Sequence, residues 1–298
     1  MDEITDFGGI PPKLRMGPTY HQPTTPVKEK LSVMNFASIG DIAFHYTYRP
    51  AQTGPTLVFL NSLGSDLRIW QEVIARLPAH LGILCFDQRG HGLSDAPSGP
   101  YSLPQLAADL RGLLDYLALH QVVLVGVSVG GMIAQQFALS DPERVRGLVL
   151  CDTGARIATA DYWSERATAV RRGGLAPLAH LILARWVSGD YGERHPAAYR
   201  GYANMLTRTP AEGYAATCDA LRDGDLRVQV SAIQVPTLVL CGADDLATPP
   251  ALGEELAAAI PHARFALIAN AGHIPALEEP DAVAAHIRSF LEGLPHGP

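Results

Sequence analysis

Cysteines, long apolar runs and targeting segments are scarce in this sequence, and each absence narrows what the protein can be. The four cysteines have no paired short spacing, which argues against a disulfide framework or a zinc site. No apolar run approaches the roughly 20 residues that a membrane-spanning helix needs. Residues 1–30 contain five prolines and balanced charge but no apolar run, unlike a signal peptide. We therefore expect a cytoplasmic protein that does not bind membranes.

Positive charge is also limited and unevenly distributed. The 298 residues contain 23 Lys+Arg against 30 Asp+Glu, a formal net charge of -7, and the only lysines are Lys13, Lys28 and Lys30. Because a nucleic-acid-binding surface must offset phosphate charge, this acidic balance argues against that class of partner. The hydrophobic content of 47% is that of a packed protein. A chain of this length suits either two small domains or one large α/β domain.

Short β-like runs alternate with helical patterns from about residue 31 onward. The predicted strands are 31–37, 42–48, 56–60, 82–86, 122–127, 147–151, 237–241 and 264–268. The clearest predicted helices are 103–119, 132–139, 250–260 and 281–291. Several strands are apolar at every position, which suits parallel strands that are covered on both faces. The alternation predicts an α/β fold with a mostly parallel eight-stranded sheet and helices on both faces.

A helical insertion interrupts this alternation. Residues 153–210 contain no clear strand, and their helical pieces are broken by glycine and proline. We interpret this interval as a helical cap over one end of the sheet. A separate second domain is the alternative, but the absence of a clean linker favours an insertion. The predicted organisation is a flexible arm over 1–30, a core over 31–152 and 211–298, and the cap over 153–210.

The sharpest motif is GVSVGG at residues 126–131, with Ser128 at its centre. It follows an apolar strand and precedes a helical pattern, which is the context of a nucleophile elbow. The glycines let the strand and the helix approach each other around a strained serine. A phosphate loop and a dinucleotide fingerprint would need G-K-[ST] and G-x-G-x-x-G respectively, and neither sequence is present at this turn. We therefore expect a serine nucleophile at this turn.

A serine nucleophile needs a base that is oriented by an acid, and in this kind of fold the acid and then the histidine follow the serine along the chain. Asp245 follows the strand TLVLC, and His273 follows the last predicted strand. Both are therefore expected at the sheet edge where ligands bind. The sequence predicts Ser128, Asp245 and His273 as the catalytic residues.

Three residues compete for these roles. Asp244 is adjacent to Asp245, and Asp152 ends the strand GLVLC, so either is an alternative acid. His91 also follows a strand, but it precedes Ser128 in the chain and lies in a glycine-rich turn. We interpret His91 as packing against the sheet edge rather than as the base.

The oxyanion of the transition state needs two preorganised N–H donors. One is expected from the backbone of Val129, directly after the nucleophile. The other is expected from the loop after strand 56–60, which begins Asn61-Ser62. Within this loop the backbone N–H of Leu63 is the predicted donor, and Asn61 is a candidate substrate contact.

These motifs resemble those of the α/β-hydrolase family, and more closely those of its 3-oxoadipate enol-lactonases. The resemblance covers about residues 31–293. It rests on LNSLGSDLRIW (60–70), FDQRGHGLSDAPSGPYS (86–102), GVSVGGMIAQ (126–135), PERVRGLVLCDTGARI (142–157), TPAEGYAATCDALRDGDL (209–226) and CGADDLATPP (241–250). On the family's pattern the acid falls on Asp245, in agreement with the spacing.

The resemblance implies an enzyme that hydrolyses a small lactone through an acyl-enzyme, without a metal or cofactor, in the breakdown of aromatic compounds by the β-ketoadipate pathway. The implied partner is a small-molecule lactone or ester. A carboxylesterase or an acyl-homoserine lactonase of the same fold is the alternative, followed by a ligand-sensing protein on this scaffold. A homo-oligomer, clasped by the N-terminal arm, is left open.

The substrate of such a lactonase carries a carboxylate, which needs a cationic partner. The predicted cap contains eight arginines against four acidic residues, although the whole chain is acidic. Arg156 is nearest the sheet edge and is the first candidate for this contact. Trp163 and Trp186 are candidates for lining the substrate pocket, with simple packing as the alternative for both.

Overall fold

A single eight-stranded sheet forms the centre of the protein. The structure is a computed structural model that describes residues 34–295, so the predicted N-terminal arm lies outside the described residues. The strands are β1 (Asn35–Ile39), β2 (Ile42–Arg49), β3 (Thr56–Leu60), β4 (Gly82–Phe86), β5 (Val122–Val127), β6 (Val145–Cys151), β7 (Thr237–Gly242) and β8 (Arg264–Ile268). Each of the eight predicted strands overlaps an observed strand, which confirms the predicted sheet, although the first begins at Asn35 and residues 31–33 of its predicted span lie outside the described residues.

The strand order is β1-β2-β4-β3-β5-β6-β7-β8. β1 and β2 are antiparallel to their neighbours, whereas β4, β3 and β5 to β8 run parallel. Every residue of β3, β4 and β5 is buried, as expected for strands covered on both faces. The parallel arrangement brings the carboxyl ends of β3 and β5 to β8 to one edge of the sheet, where loops can assemble a site.

Eleven helices accompany the sheet within residues 34–295. They are α1 (Gln71–Ile74), α2 (Leu103–Tyr116), α3 (Val129–Ser140), α4 (Ala160–Gly173), α5 (Ala179–Leu183), α6 (Tyr191–Arg194), α7 (Pro196–Arg208), α8 (Ala211–Asp223), α9 (Pro250–Ala259), α10 (Pro275–Glu278) and α11 (Pro280–Glu292). No helix of this part of the chain has the length and apolar character needed to cross a bilayer.

Local signals explain where α2 begins and ends. The Ser102 hydroxyl accepts a hydrogen bond from the backbone N–H of Gln105, which caps the first turn. The predicted helix 103–119 is too long, because α2 ends at Tyr116. Beyond it, Ala118 has a φ of 53° and the N–H of Leu119 bonds to an earlier carbonyl, which closes the helix.

The helices α4 to α8 lie in the connection between β6 and β7, here called the β6–β7 insertion (residues 152–236). α8 packs closely against α4. α8 also contacts the loops at the carboxyl edge of the sheet, since Gly213 meets Gly90 backbone to backbone and Tyr214 lies against Gly64. The insertion is therefore anchored at the same edge where the candidate site residues lie.

Candidate active site

Ser128 occupies a strained turn between β5 and α3. Its φ of 59° and ψ of -121° lie outside the ordinary regions for a non-glycine residue. The neighbouring glycines make the turn sterically feasible. A Cβ on Gly126 would lie 2.4 Å from the carbonyl oxygen of Gly130, and a Cβ on Gly130 would lie 2.5 Å from that of Leu60. The strained serine therefore stands at the N-terminus of α3, where free N–H groups favour negative charge.

The close approach at Gly130 gives a stability prediction. Gly130→Ala is expected to lower the free energy of unfolding by about 3 kcal/mol, because the new methyl group meets rigid backbone rather than a movable side chain. Urea denaturation measures this difference. Gly173→Ala is the matched control, since a Cβ there meets nothing within 4 Å. Equal stability of the two variants would contradict the expectation.

Two loops after neighbouring strands bring Asp245 and His273 together. His273 Nδ1 lies 2.9 Å from Asp245 Oδ2, and the Thr248 hydroxyl donates to the same oxygen at 2.6 Å. Asp245 Oδ1 accepts hydrogen bonds from the backbone N–H groups of Ala247 and Thr248, at 2.7 and 3.1 Å. Because Nδ1 of His273 faces the carboxylate, Nε2 remains available for another partner.

The environment of Asp245 favours its charged form. Burial opposes ionisation, but the electrostatic interaction with His273 and the hydrogen bonds from His273 and Thr248 outweigh it, so the pKa of Asp245 lies below its ordinary value. Ser128, Asp245 and His273 are only 7%, 2% and 4% exposed. These side chains are therefore shielded from bulk water, and the Asp245 carboxylate acts more strongly on the His273 ring than it would in water.

Residues after β6 connect the serine turn to the Asp245 loop. The Thr153 hydroxyl donates to the carbonyl of Ser128 at 2.7 Å. The adjacent Asp152, with a φ of 44°, accepts the backbone N–H of Gly242 at 2.7 Å through Oδ1. β6 lies between β5 and β7 in the sheet. These bonds therefore hold the ends of three neighbouring strands in a common arrangement.

The alternative acids differ sharply in their surroundings. Asp244 is exposed to solvent. Asp152 is fully buried, and its Oδ2 has no hydrogen-bond partner within residues 34–295. Burial first, and then the nearby Asp245 carboxylate, raise the pKa of Asp152 well above its ordinary value. Burial thus disfavours the charged form of Asp152, whereas the charged form of Asp245 is favoured, which supports Asp245 as the partner of the histidine.

One group in the described residues has the composition of a metal site. Ligand atoms of Asp152, Cys241 and Asp245 lie within 4.8 Å of one another. Metal binding requires deprotonated donors, but burial raises the pKa of both Cys241 and Asp152. The oxygens of Asp245 are already engaged by protein donors. The donor set therefore suits a hydrogen-bonded cluster better than a metal ion.

Two backbone N–H groups lie on neighbouring segments, the loop after β3 and the start of α3. Within residues 34–295, the N–H groups of Leu63 and Val129 donate to no acceptor. Gly130 packs against the carbonyls of Leu60 and Asn61, so the start of α3 lies beside the loop that carries Leu63. Unpaired N–H groups next to a helix N-terminus form a binding site for a developing oxyanion.

Buried side chains hold the Leu63 loop in place. The N–H of Gly64 donates to His91 Nε2 at 2.9 Å, and His91 Nδ1 lies 3.2 Å from the carbonyl of Arg89. Burial lowers the pKa of His91 to about 4, so the ring is neutral at pH 7. The Asn61 amide donates to the carbonyl of Phe86 at 2.8 Å. His91 and Asn61 thus brace the loop, and His91 is fully engaged away from Ser128.

Arg156 forms an ion pair with an acid that follows α8. Its guanidinium lies 3.1 Å from Asp225, because the chain after α8 presents this acid directly to it. With Arg227 and Glu255, Arg156 lines a separate cavity of about 300 Å³ beside α9. The position of Arg156 along the chain does not reveal this acidic neighbour, which is distant in sequence.

The two predicted tryptophans are buried in the β6–β7 insertion. Trp163 Nε1 donates to the carbonyl of Ile157 at 2.6 Å, and its ring meets Tyr162 edge to face. The carbonyl of Trp186 accepts the N–H of Ile274, next to His273. Trp163 thus packs within the insertion, whereas Trp186 ties the insertion to the histidine loop. Thr248, which bonds to Asp245, was missed because an isolated threonine carries no sequence signal.

The family profile described as "alpha/beta hydrolase fold" matches residues 55–280, which include every residue of the Ser128, Asp245 and His273 arrangement. The chain belongs to this family. It is therefore a hydrolase, and the resemblance noted from the sequence is confirmed. The match includes the β6–β7 insertion as well as the sheet from β3 to β8.

Named relatives and solved structures agree with this membership. The 3-oxoadipate enol-lactonase 2 of Acinetobacter baylyi is 38% identical over 252 residues, 85% of this chain and 94% of that protein. The crystal structure of the enol-lactonase from Burkholderia xenovorans LB400 matches with a TM-score of 0.84 at 38% identity, covering 87% of this chain and 100% of that one. The structure of Est816, an N-acyl homoserine lactone degrading enzyme, matches with a TM-score of 0.74 at 28% identity, covering 86% and 100%.

Proposed function

We propose that this hydrolase opens a small carboxylate-bearing enol-lactone, of the type of 3-oxoadipate enol-lactone, through an acyl-enzyme on Ser128. The observation that carries the proposal is the combination of a strained serine at a helix N-terminus with the buried Asp245–His273 pair at the same sheet edge. The similarity to two enol-lactonases supports the choice of substrate class. Breakdown of aromatic compounds in the cytoplasm is the proposed setting.

Each residue has a definite role in the proposed reaction. Ser128 Oγ attacks the ring carbonyl while His273 Nε2 takes its proton, and Asp245 holds the ring in the required tautomer and stabilises the imidazolium. The N–H groups of Leu63 and Val129 bind the tetrahedral oxyanion. Collapse of this intermediate breaks the ring C–O bond, and His273 returns the proton to the leaving enol oxygen.

The second half of the reaction releases the acid. A water molecule gives its proton to His273 and attacks the carbonyl carbon of the ester that joins the acyl group to Ser128 Oγ. The oxyanion forms at the same two N–H groups. Collapse restores the Ser128 hydroxyl and yields the carboxylate. The enol formed on ring opening tautomerises to the ketone, which draws the overall reaction toward hydrolysis.

A comparison of substrates tests the proposed specificity. The enzyme is expected to hydrolyse the enol-lactone derived from muconolactone with a kcat/KM about 10- to 100-fold above that for a long-chain neutral p-nitrophenyl ester, because one charge-assisted contact contributes about 1.5–3 kcal/mol. Loss of absorbance of the enol-lactone and release of nitrophenolate measure the two rates. Equal turnover of both substrates would contradict the proposal.

A carboxylesterase or acyl-homoserine lactonase is the second candidate. The similarity to an N-acyl homoserine lactone degrading enzyme favours it, although the identity of 28% is lower than for the enol-lactonases. Ser128, Asp245 and His273 would serve in both reactions, so the discriminating feature is the part of the pocket that meets the acyl group. Faster hydrolysis of acyl-homoserine lactones than of the carboxylate-bearing lactone would support this alternative.

A further inference from the structure

The arginines of the β6–β7 insertion differ in whether they have acidic partners. Eight lie in residues 153–210. Arg156, Arg171 and Arg194 form ion pairs with Asp or Glu. Among the others, which have no carboxylate partner within residues 34–295, Arg166 and Arg185 are half-buried. The remaining three are exposed, namely Arg172, Arg200 and Arg208. Two arginines therefore combine partial burial with an uncompensated charge.

Arg166 lies among neutral phenols rather than carboxylates. Its Nη2 donates to the Tyr162 hydroxyl at 2.7 Å, and its Nη1 lies 3.3 Å from the Tyr214 hydroxyl. The guanidinium also lies over the Tyr162 ring, 5.2 Å from its centroid. A guanidinium has five N–H donors, so three remain beyond these two bonds. Partial burial of a charge without a counter-ion is unfavourable, and an anionic ligand would relieve this cost.

Tyr214 connects this guanidinium to the loop that carries the Leu63 N–H. A Cβ on Gly64 would lie 3.0 Å from the Tyr214 ring, so Tyr214 packs directly against the residue after Leu63. Arg166 thus lies one side chain away from the loop that we propose to bind the oxyanion. A substrate that has its carbonyl group at this loop can therefore place a carboxylate at Arg166.

Arg185 lies between the same aromatic ring and the loop that carries Asp245. Its guanidinium lies 5.9 Å from the Tyr162 ring centroid, and its Nη2 donates to the carbonyl of Leu246, directly after Asp245. Tyr162 therefore contacts two guanidinium groups. That of Arg166 is linked through Tyr214 to the Leu63 loop, and that of Arg185 bonds to the loop that carries Asp245. Two guanidinium groups without a carboxylate partner within residues 34–295 therefore add positive potential around Tyr162.

From this arrangement we propose that Arg166, together with the Tyr162 and Tyr214 hydroxyls, binds the carboxylate of the substrate. Arg185 adds positive potential without direct contact. The inference rests on the proposed function and specifies the residues that recognise the substrate's charge. It replaces Arg156, which shares the carboxylate of Asp225 with Arg227.

Two esters that differ in charge test this subsite. The probes are 4-nitrophenyl hydrogen succinate, which carries a carboxylate, and neutral 4-nitrophenyl butyrate. Arg166→Gln is expected to lower kcat/KM for the anionic ester by about 10- to 100-fold, the effect of losing a charge-assisted bond, and that for the neutral ester by about twofold at most. Arg172→Gln, an exposed arginine of the same helix, is the matched control and is expected to change neither rate. Equal losses for both esters, or no loss, would overturn the assignment.

Binding without turnover separates this inference from the catalytic proposal. In the Ser128→Ala background, calorimetry with adipate, a dicarboxylate, is expected to show a dissociation constant about tenfold weaker when Arg166→Gln is added. Unchanged adipate affinity overturns the subsite, whatever the hydrolytic activity. Absence of ester hydrolysis in the wild-type enzyme, with Arg166-dependent adipate binding, instead contradicts the proposed function and supports the subsite. If Arg166→Gln fails to fold, Arg166→Lys and Tyr162→Phe provide the same comparison, with smaller expected losses.

Discussion

Replacing Ser128 by alanine is expected to lower kcat for lactone and ester substrates by about four orders of magnitude or more. The change removes the only atom that we propose to bond covalently to the substrate, while the Leu63 and Val129 N–H groups remain. Ligand binding is expected to be nearly unchanged, because the pocket loses one oxygen atom. Steady-state kinetics measures the first effect, and calorimetry with a non-hydrolysed dicarboxylate measures the second.

A second serine on the same helix provides the control for this experiment. Ser140→Ala makes the same chemical change at the other end of α3, where the hydroxyl bonds to Asp141 and to helix carbonyls. Its activity is expected to stay within about twofold of the wild type, since surface changes away from a site have small effects. A fluorophosphonate reagent is expected to label the wild type at Ser128. Turnover that survives in Ser128→Ala would show that the nucleophile is another group.

Asp245→Asn is expected to lower kcat by about 10³- to 10⁴-fold. The amide keeps the shape of the side chain, but it cannot stabilise the imidazolium, and its N–H₂ group can force His273 to carry its proton on Nε2. In that tautomer the ring cannot accept the proton of Ser128. The kcat for the enol-lactone, measured across pH 5–9, checks this expectation.

The competing acids are the natural controls for Asp245→Asn. Asp244→Asn changes an exposed carboxylate and is expected to leave kcat within about twofold of the wild type. Asp152→Asn replaces a buried carboxyl group, whose charged form burial disfavours, by an amide of the same shape, and Oδ1 can still accept the N–H of Gly242. We expect a loss of less than about tenfold, well below that of Asp245→Asn. Near-wild-type activity of Asp245→Asn with a large loss in Asp152→Asn would reassign the acid to Asp152.

Elements with strong local patterns were predicted well from the sequence. Runs such as VVLVGV and TLVLC are buried strands with nearly the predicted bounds, because a strand covered on both faces needs apolar residues at every position. The predicted ends were less accurate. β6 begins two residues earlier than predicted, and α2 ends three residues earlier, where Ala118 adopts a left-handed conformation that the apolar periodicity does not encode.

Part of the candidate site could also be predicted from positions along the chain. Ser128, Asp245 and His273 each follow a parallel strand, and such strands end at one edge of the sheet. The contact between Asp245 and His273 agrees with that expectation. Their catalytic roles remain predictions for the variants described above to test. Two contacts could not be predicted: the hydrogen bond from Thr248 to Asp245 and the one from Gly242 to Asp152. A threonine, or an aspartate at a strand end, has many possible partners, and the sequence does not indicate which one it meets.

The sequence by itself thus determined the family, the order of the strands along the chain and the candidate residues at their ends. Only the tertiary structure decided which charges are compensated. Arg156 and Arg166 look alike in the sequence, yet one lies beside Asp225 and the other beside two phenols. Strand formation depends on neighbours along the chain, whereas the balance of a charge depends on residues that are distant in sequence and close in space.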